Sequence, residues 1–401
     1  MGILKIRIIL GAFFLLVSGQ VGAALLYNVT DLGAFGTYYY YGVHQNKISS
    51  FGRGVNDSGQ VAGTSETRNL SQTGPQTRAF VTDTSGTMTN LGVLGGVKSS
   101  GSDINSSGQV TGSSNTPWER NGRYSSSAFV TDADGTMHDL GTLAGSSNYY
   151  SYSGGSGIND SGQVTGTSNT LSGDLHAFVT DTDRNMTDLG TLGGSTSRGN
   201  DINNQGVVAG YAETSEGFEH AFITDLSGNL VDLGTLGGNN SFGRGINDAG
   251  LVTGNSNTAD GNDHAFLTNS NGDLVDLGTL GGSLSQGLAV NESGQVAGHS
   301  RLTDGSLHAT LWDPVYGILD LNNLVQDLST EWSYLVSAYD ISDTGYITGY
   351  GLTNDGFEHA FLLTEVSTPE PPSPVPIPAT LWLFGTGIVG LIGFSKRRKA
   401  V

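Results

Sequence analysis

Cysteine is absent from the 401 residues, so the chain has no disulfide to staple it and no thiol nucleophile. Its stability must come from a core and from backbone pairing. Charge is sparse, at 13% of residues, and basic residues are the scarcer kind, 17 against 37 acids. Six of the 17 crowd the two ends, as Lys5, Arg7, Lys396, Arg397, Arg398 and Lys399. The middle keeps 11 bases and all 37 acids, and 11 − 37 leaves it at −26. Such a surface repels nucleic acid and anionic lipid, which makes both poor partners, while it attracts cations and favours solubility. No segment sustains a 3.6-residue apolar period, which argues against helices. A G-x-S-x-G elbow and a phosphate-binding G-x-x-x-x-G-K are also missing, and nothing calls for a cofactor.

What is present in excess is glycine, 62 residues, arranged in a repeat. The stretch Asp232 to Thr268 contains three phrases, DLGTLGG, GINDxGxVxG and HAFxT, that recur along the chain. The Asn of the second phrase falls at Asn56, Asn105, Asn159, Asn203, Asn247 and Asn291, and Ser342 takes its place in a last copy. Three consecutive steps are 44 residues, the others 49, 54 and 51, so loops are lengthened within a fixed unit. In the unit at Asp232 the pattern predicts strands over Phe242–Asn247, Leu251–Ser256, His264–Asn269 and Leu274–Gly278, separated by Asp-Ala-Gly and Ser-Asn-Gly turns. Four strands in about 44 residues is the size of a propeller blade.

Seven copies of the third phrase, from Ala79-Phe80 to Ala360-Phe361, predict seven blades. The repeat region opens on a fourth-strand phrase, Tyr27 to Gly33, and closes on a third-strand phrase, HAFLLTEV. Docking the first beside the last removes two bare edges. The expected fold is therefore an all-β, seven-bladed β-propeller of four-stranded blades, closed by its N-terminal strand. A β-solenoid is the rival, since Gly- and Asn-rich repeats also build those.

The two ends read as addresses. Lys5 and Arg7, the apolar run Ile8 to Val17 and the small residues up to Ala24 have the layout of a secretory signal peptide, residues 1–24. The repeat region spans 25–366. Residues 367–378 form a proline-rich linker, 379–395 an uncharged apolar span expected to be a transmembrane helix, and 396–401 a basic tail expected to stay cytoplasmic.

The tail, with Val375, Pro376, Pro378, Ala379 and Thr380 before a Gly-rich span and KRRK, resembles the PEP-CTERM sorting signal of Gram-negative bacteria. Ile377 stands where that signal usually has Glu. The resemblance implies processing by an exosortase-type enzyme, membrane attachment in transit, and then a place on the cell surface or in an exopolysaccharide or biofilm matrix. A permanent C-terminal anchor is the rival reading. The three internal phrases, from about Asp31 to Val366, resemble the HAF repeat family of bacterial extracellular proteins, a resemblance that implies a surface-associated repeat protein without established chemistry.

Insertions fall after LGG (Gly36 to Ser50, Gly145 to Ser156) and between the second and third strands (Thr64 to Thr77, Ser113 to Ser127). Alternating strand direction puts both on one face, in blades one to three. They carry Tyr38, Tyr39, Tyr40, Tyr41, Trp118, Tyr124, Tyr149, Tyr150 and Tyr152, rigid flat surfaces suited to a glycan or a protein partner or to packing over the propeller's own face.

Catalytic and metal readings fare worse. His176, His220, His264, His308 and His359 share one repeat position, so a ring would hold them apart, each hydrogen-bonded within its blade. The pairs Asn56-Asp57, Asn159-Asp160 and Asn247-Asp248 read as turn caps. The DADG stretch at Asp132 lacks the bidentate Glu of a calcium loop. The expected function is a non-enzymatic binding or structural module, with no catalytic or metal residue. A polysaccharide-active hydrolase or lyase and a permanently anchored, cation-dependent adhesin are the alternatives.

Overall fold

The computed structural model describes residues 25–35, 48–67, 76–117, 125–145 and 151–366, and the backbone alone at 39–40 and 43–44. The leader, the proline-rich linker, the apolar span with its sorting motif and the basic tail lie outside the described residues. So do Tyr38, Tyr41, Trp118, Tyr124, Tyr149 and Tyr150.

The predicted unit at Asp232 folds as four antiparallel strands, Gly237–Ile246, Val252–Thr258, Asp263–Thr268 and Leu274–Asp276. The first starts earlier than expected because Gly237 pairs with Thr258 ahead of the main register. The arrangement recurs in every unit. Five sheets are four-stranded, and one of eight strands consists of two four-stranded halves joined at the single pair Asp263–Leu284. Two three-residue 3-10 turns, Leu321–Asn323 and Leu328–Thr330, are the helical elements among the described residues.

Tyr27–Gly33 pairs antiparallel with Glu358–Glu365, so the first strand completes the last sheet. The innermost strands of successive sheets touch in a full cycle, Trp332–Ile341 meeting Ser50–Val55. Among the described residues the seam holds the largest buried apolar cluster. Tyr27, Leu321, Trp332, Leu335, Phe361 and Leu363 belong to it, and the Tyr27 backbone bonds Leu324 and Gln326.

Insertion boundaries need correction. Thr64 to Thr67 and Ser113 to Asn115 belong to second strands, Ser126 and Ser127 to a third, and Ser153 to Ser156 to a first. These polar residues read as loop, yet Ser65, Ser114 and Ser153 are fully buried because their hydroxyls have partners in the fold.

Packing inside each blade turns on a close approach. Gly254 of V-x-G lies so near Phe242 that an added Cβ would sit 1.9 Å from its carbonyl oxygen and 2.9 Å from the Phe266 ring. Phe80, Phe129, Phe178, Phe222, Phe266 and Phe361 fill the equivalent places, each fully buried. One unit has Thr310 there. Trp312, two residues along on the same face of the strand, brings its ring over Gly298 instead and donates to the Leu277 carbonyl at 2.9 Å. That substitution leaves the Thr310 hydroxyl buried without a hydrogen-bond partner.

Two substitutions follow with opposite signs. Gly254→Ala should lower stability by about 1–3 kcal/mol or more, as overpacking against backbone does. Thr310→Val keeps the shape and removes the orphaned hydroxyl, so stability should rise by about 1 kcal/mol. Denaturant midpoints of the two variants against wild type check both signs.

Candidate functional site

Most repeated side chains are occupied in holding blades together. Ser50, Ser99, Ser153, Ser197, Ser241 and Ser285, at one position of the first strand, each accept the Ala N–H of the preceding blade's HAF-type phrase at 2.8–2.9 Å. Each also donates to the Gly carbonyl of that blade's fourth-strand phrase, as Ser241 does to Gly234. In the last unit Leu335 replaces Ser, and the Asn322 side chain bonds both its N–H and its carbonyl.

The repeated Asn residues do two jobs. Asn159 Oδ1 accepts the N–H groups of Ser161 and Gln163, which caps the turn as expected. Its Nδ2 donates to the Asn203 carbonyl of the next blade at 3.1 Å, and the same bond runs from Asn56 to Asn105 and on to Asn291. At Ser342 the chain of amides breaks, and Thr344 Oγ1 donates to the Asp57 carbonyl at 3.1 Å in its place. The acids beside these Asn residues do not cap their own turns. Asp160 accepts from Ser106 N–H and Asp248 from Asn204 N–H, each across a blade boundary. They border a cavity of about 180 Å³ at this mouth of the axial channel.

The repeat-position histidines behave as expected. His176, His220, His264, His308 and His359 contact Asp188, Asp232, Asp276, Asp320 and Asp31 at 2.8–2.9 Å through Nδ1. Each pair ties a third strand to its fourth, and His359–Asp31 ties the C-terminal strand to the N-terminal one. Asp132 of DADG contacts His138 and Arg184. Among the described residues no cluster of three His, Cys, Asp or Glu is placed to hold a metal ion.

Deeper in the channel the repeat varies. The residue two before the repeated Asn is Gly54, Asp103, Gly157, Asp201, Gly245, Ala289 and Asp340 in ring order. A Cβ on Gly54 would lie 2.8 Å from Asp103 Cα, and one on Gly157 2.8 Å from Asp201 Cα. Innermost strands approach so closely that an Asp is accommodated beside a glycine.

Each Asp carboxylate accepts its own next residue's N–H and one from the neighbouring blade. Asp103 takes Ile104 and Ile158, Asp201 takes Ile202 and Ile246, and Asp340 takes Ile341 and Val55, at 2.7–2.9 Å. Burial, opposed by those bonds, pushes Asp201 up to about 6 and Asp340 up to about 7. Asp103 is raised well above the carboxylate range by burial and by repulsion from Asp340 and Asp201.

One position earlier the ring carries Arg53, Ser102, Ser156, Asn200, Arg244, Leu288 and Tyr339. Arg53 Cζ stands 4.1 Å from the Tyr339 ring centroid, and Tyr339 stacks on Tyr350 at 5.7 Å. Arg244 Cζ is 5.7 Å from both Tyr211 and Phe242, and burial lowers its pKa. Among the described residues neither guanidinium forms an ion pair, and Arg244 Nε reaches Asn255 Oδ1 only at 3.5 Å. Both Arg residues line one cavity of about 90 Å³. Nearby, burial pushes His299 down to about 4, and its Nδ1 contacts Ser337 Oγ at 2.9 Å.

Sequence reasoning missed these residues. Their signal was the phrase FGRG, present at Phe51 to Gly54 and Phe242 to Gly245 and at no other copy of that position. Of the aromatics proposed for binding, Tyr152 has a described side chain, 41% exposed. Tyr39 and Tyr40 form a two-residue backbone pairing with His44 and Val43. Antiparallel alternation puts the flanks of the insertions, such as Thr67 and Gln76, on the face opposite the Asn turns.

No protein-family model matches the chain, and no curated protein matches it. Among solved structures it is similar to the β-propeller domain of the Trilobed protease from Pyrococcus furiosus, which is described as having an open velcro topology. The identity is 8% and the TM-score 0.50, over 81% of this chain and 99% of that one. It is also similar to TolB from Acinetobacter baumannii, with 13% identity, a TM-score of 0.42 and 77% and 80% of the two chains covered. For the BP39L lectin from Burkholderia pseudomallei the figures are 9%, 0.43, 79% and 95%. At 8% identity the first likeness shows the fold alone: the chain is an all-β propeller of repeated four-stranded sheets.

The three channel carboxylates set a pH dependence. Their folded pKa lies above the unfolded value of about 3.9, so the native state binds their protons more tightly. For Asp201 and Asp340 the stabilising contribution is full below about pH 4 and is lost as pH rises through about 6–7, and Asp103 shifts in the same direction. The melting temperature of wild type should therefore climb as pH falls from about 8 to about 5, and Asp340→Asn should climb less steeply. Parallel slopes in the two proteins would assign the dependence to other groups.

Proposed function

We propose that the chain is an exported, non-enzymatic binding or structural module of the cell surface or extracellular matrix, a seven-bladed propeller closed by its N-terminal strand. The observation that carries this reading is the division of labour among side chains. Repeated polar groups are engaged in the fold, the varying channel carboxylates are tied to backbone N–H groups, and the positions beside them bring guanidinium and aromatic groups to the channel, which suits binding. Support for seven blades comes from the seven turns of the Asn series, Asn56 through Ser342, joined blade to blade. Support for export and matrix association comes from the leader-like N-terminus and from the resemblance to HAF repeats and the PEP-CTERM signal. An exosortase-type enzyme is then the processing partner, exopolysaccharide or another surface protein the retained one, and the apolar span the membrane attachment before processing.

A second reading, a polysaccharide-active hydrolase or lyase, draws on the raised Asp103, Asp201 and Asp340, since a carboxyl kept protonated is what a general acid needs. Both oxygens of each are held by backbone N–H groups, which disfavours that role.

Incubation of the purified protein with the producer's exopolysaccharide separates the two. Co-sedimentation with the polymer at unchanged chain length is expected, and shortening of the polymer would favour the enzyme. Replacing Tyr38 to Tyr41, Tyr149, Tyr150 and Tyr152 with Ser in a folded variant should weaken retention; undiminished retention would remove the inserted face as the binding sector.

A further inference from the structure

The channel offers a more specific ligand than the fold does. Arg53 and Arg244 face one cavity from blades one and five, each resting on an aromatic ring. A guanidinium presents five N–H donors in a planar fork that fits a carboxylate in two parallel hydrogen bonds. Arg53 has no hydrogen-bond acceptor among the described residues, and Arg244 has one long contact through Nε, so their terminal donors are unspent.

The volume, about 90 Å³, admits a carboxylate group or a few waters but not a polymer strand. Tyr339 lines the cavity with its ring between Arg53 and Tyr350, and Tyr211 lies against Arg244, so aromatic packing holds both guanidinium groups in place. The hydroxyls of Ser102 and Ser156 add neutral hydrogen-bonding capacity around the cavity, while the Asn200 amide is engaged with the Gly243 carbonyl.

The charge surrounding the site narrows the class further. The cavity also holds Asp103, Asp201 and Asp340, tied to backbone N–H groups, while Asp263 and Glu219 favour the charged form of Arg244 and Arg198 opposes them. The chain as a whole carries −20. A densely charged polyanion would be repelled by that field before it reached the channel.

We propose that the channel binds an isolated carboxylate of a mostly neutral saccharide, such as a uronate at a chain end or branch, clamped between Arg53 and Arg244. The proposal rests on the reading of the protein as a glycan-associated module and names the ligand class and its place. It also moves the principal contact from the inserted loops to the axis.

The test is titration calorimetry of the purified protein with glucuronate, glucose, acetate, an acidic dipeptide and polygalacturonate. Glucuronate is expected to bind at least about ten-fold more tightly than glucose or acetate, and Arg53→Gln/Arg244→Gln to lose at least about ten-fold of that affinity. Arg53→Lys keeps the charge without the fork and should lose part of it. Melting curves of each variant verify folding, and Arg53→Gln alone, at an exposed position, serves if the Arg244 change unfolds the protein. Equal affinity of folded single or double variants and wild type overturns the proposal, as does acetate or the dipeptide matching glucuronate. Polygalacturonate binding more tightly than glucuronate overturns the argument from sparse charge. Retention on exopolysaccharide without glucuronate binding would end this proposal and leave the broader function standing; loss of both would end the two together.

Discussion

Everything in this protein depends on buried hydrogen bonds that cross from one blade to the next. A four-stranded sheet of three- to ten-residue strands has little apolar area, and here no disulfide supplements it. Neighbouring sheets meet instead through a serine hydroxyl that accepts an alanine N–H and donates to a glycine carbonyl, and through an asparagine amide that reaches the next turn. Such bonds are made in a protected interior, where leaving either partner unpaired would cost about 1–3 kcal/mol. The same interface recurs around the ring, so the same residues recur along the chain. DLG, the first-strand serine, IND and HAF are in this sense one interface written repeatedly.

The departures from the repeat show how strictly the interface must be satisfied. Where Ser becomes Leu335, the Asn322 side chain ties the two blades through Leu335's own backbone N–H and carbonyl instead. Where Asn becomes Ser342, Thr344 bridges to Asp57. Where Phe becomes Thr310, Trp312 covers the glycine. These exchanges cluster in the last two units, next to the seam where the N-terminal strand docks, and the largest apolar cluster among the described residues lies there too. Closure is thus supported by packing where the hydrogen-bond pattern is least regular. The channel adds a constraint of space. Gly54, Gly157 and Gly245 stand where an added Cβ would crowd the backbone of the next blade's Asp103, Asp201 or Ala289, so Asp follows Gly at two of these contacts.

Strand positions were legible because the strand pattern and the turn residues coincide in every unit. The expected strand His264–Asn269 differs from the observed Asp263–Thr268 by one residue at each end, and the fourth-strand phrase at Tyr27 was readable as an edge needing a partner. The histidines were readable as structural because they recur. The true extent of the second strands was not, since Ser65 and Ser114 look like loop residues until their hydroxyls are seen buried against a neighbouring chain segment. The acids beside the repeated Asn were read as caps of their own turns, whereas they cap the turn of another blade, a relation that has no signature in local sequence.

By itself, the amino-acid sequence determined the local part of this structure: where strands run, where turns reverse them, and that the unit is copied. Period-two patterning and glycine or asparagine turns act over a few residues, so they are readable without knowing what lies opposite. Which residues face one another across the axis was decided by the ring alone. Arg53 and Arg244 are separated by most of the repeat region and share a cavity because the blades curve around to meet. Only that closure converts two copies of FGRG into a pair of guanidinium groups aimed at one space.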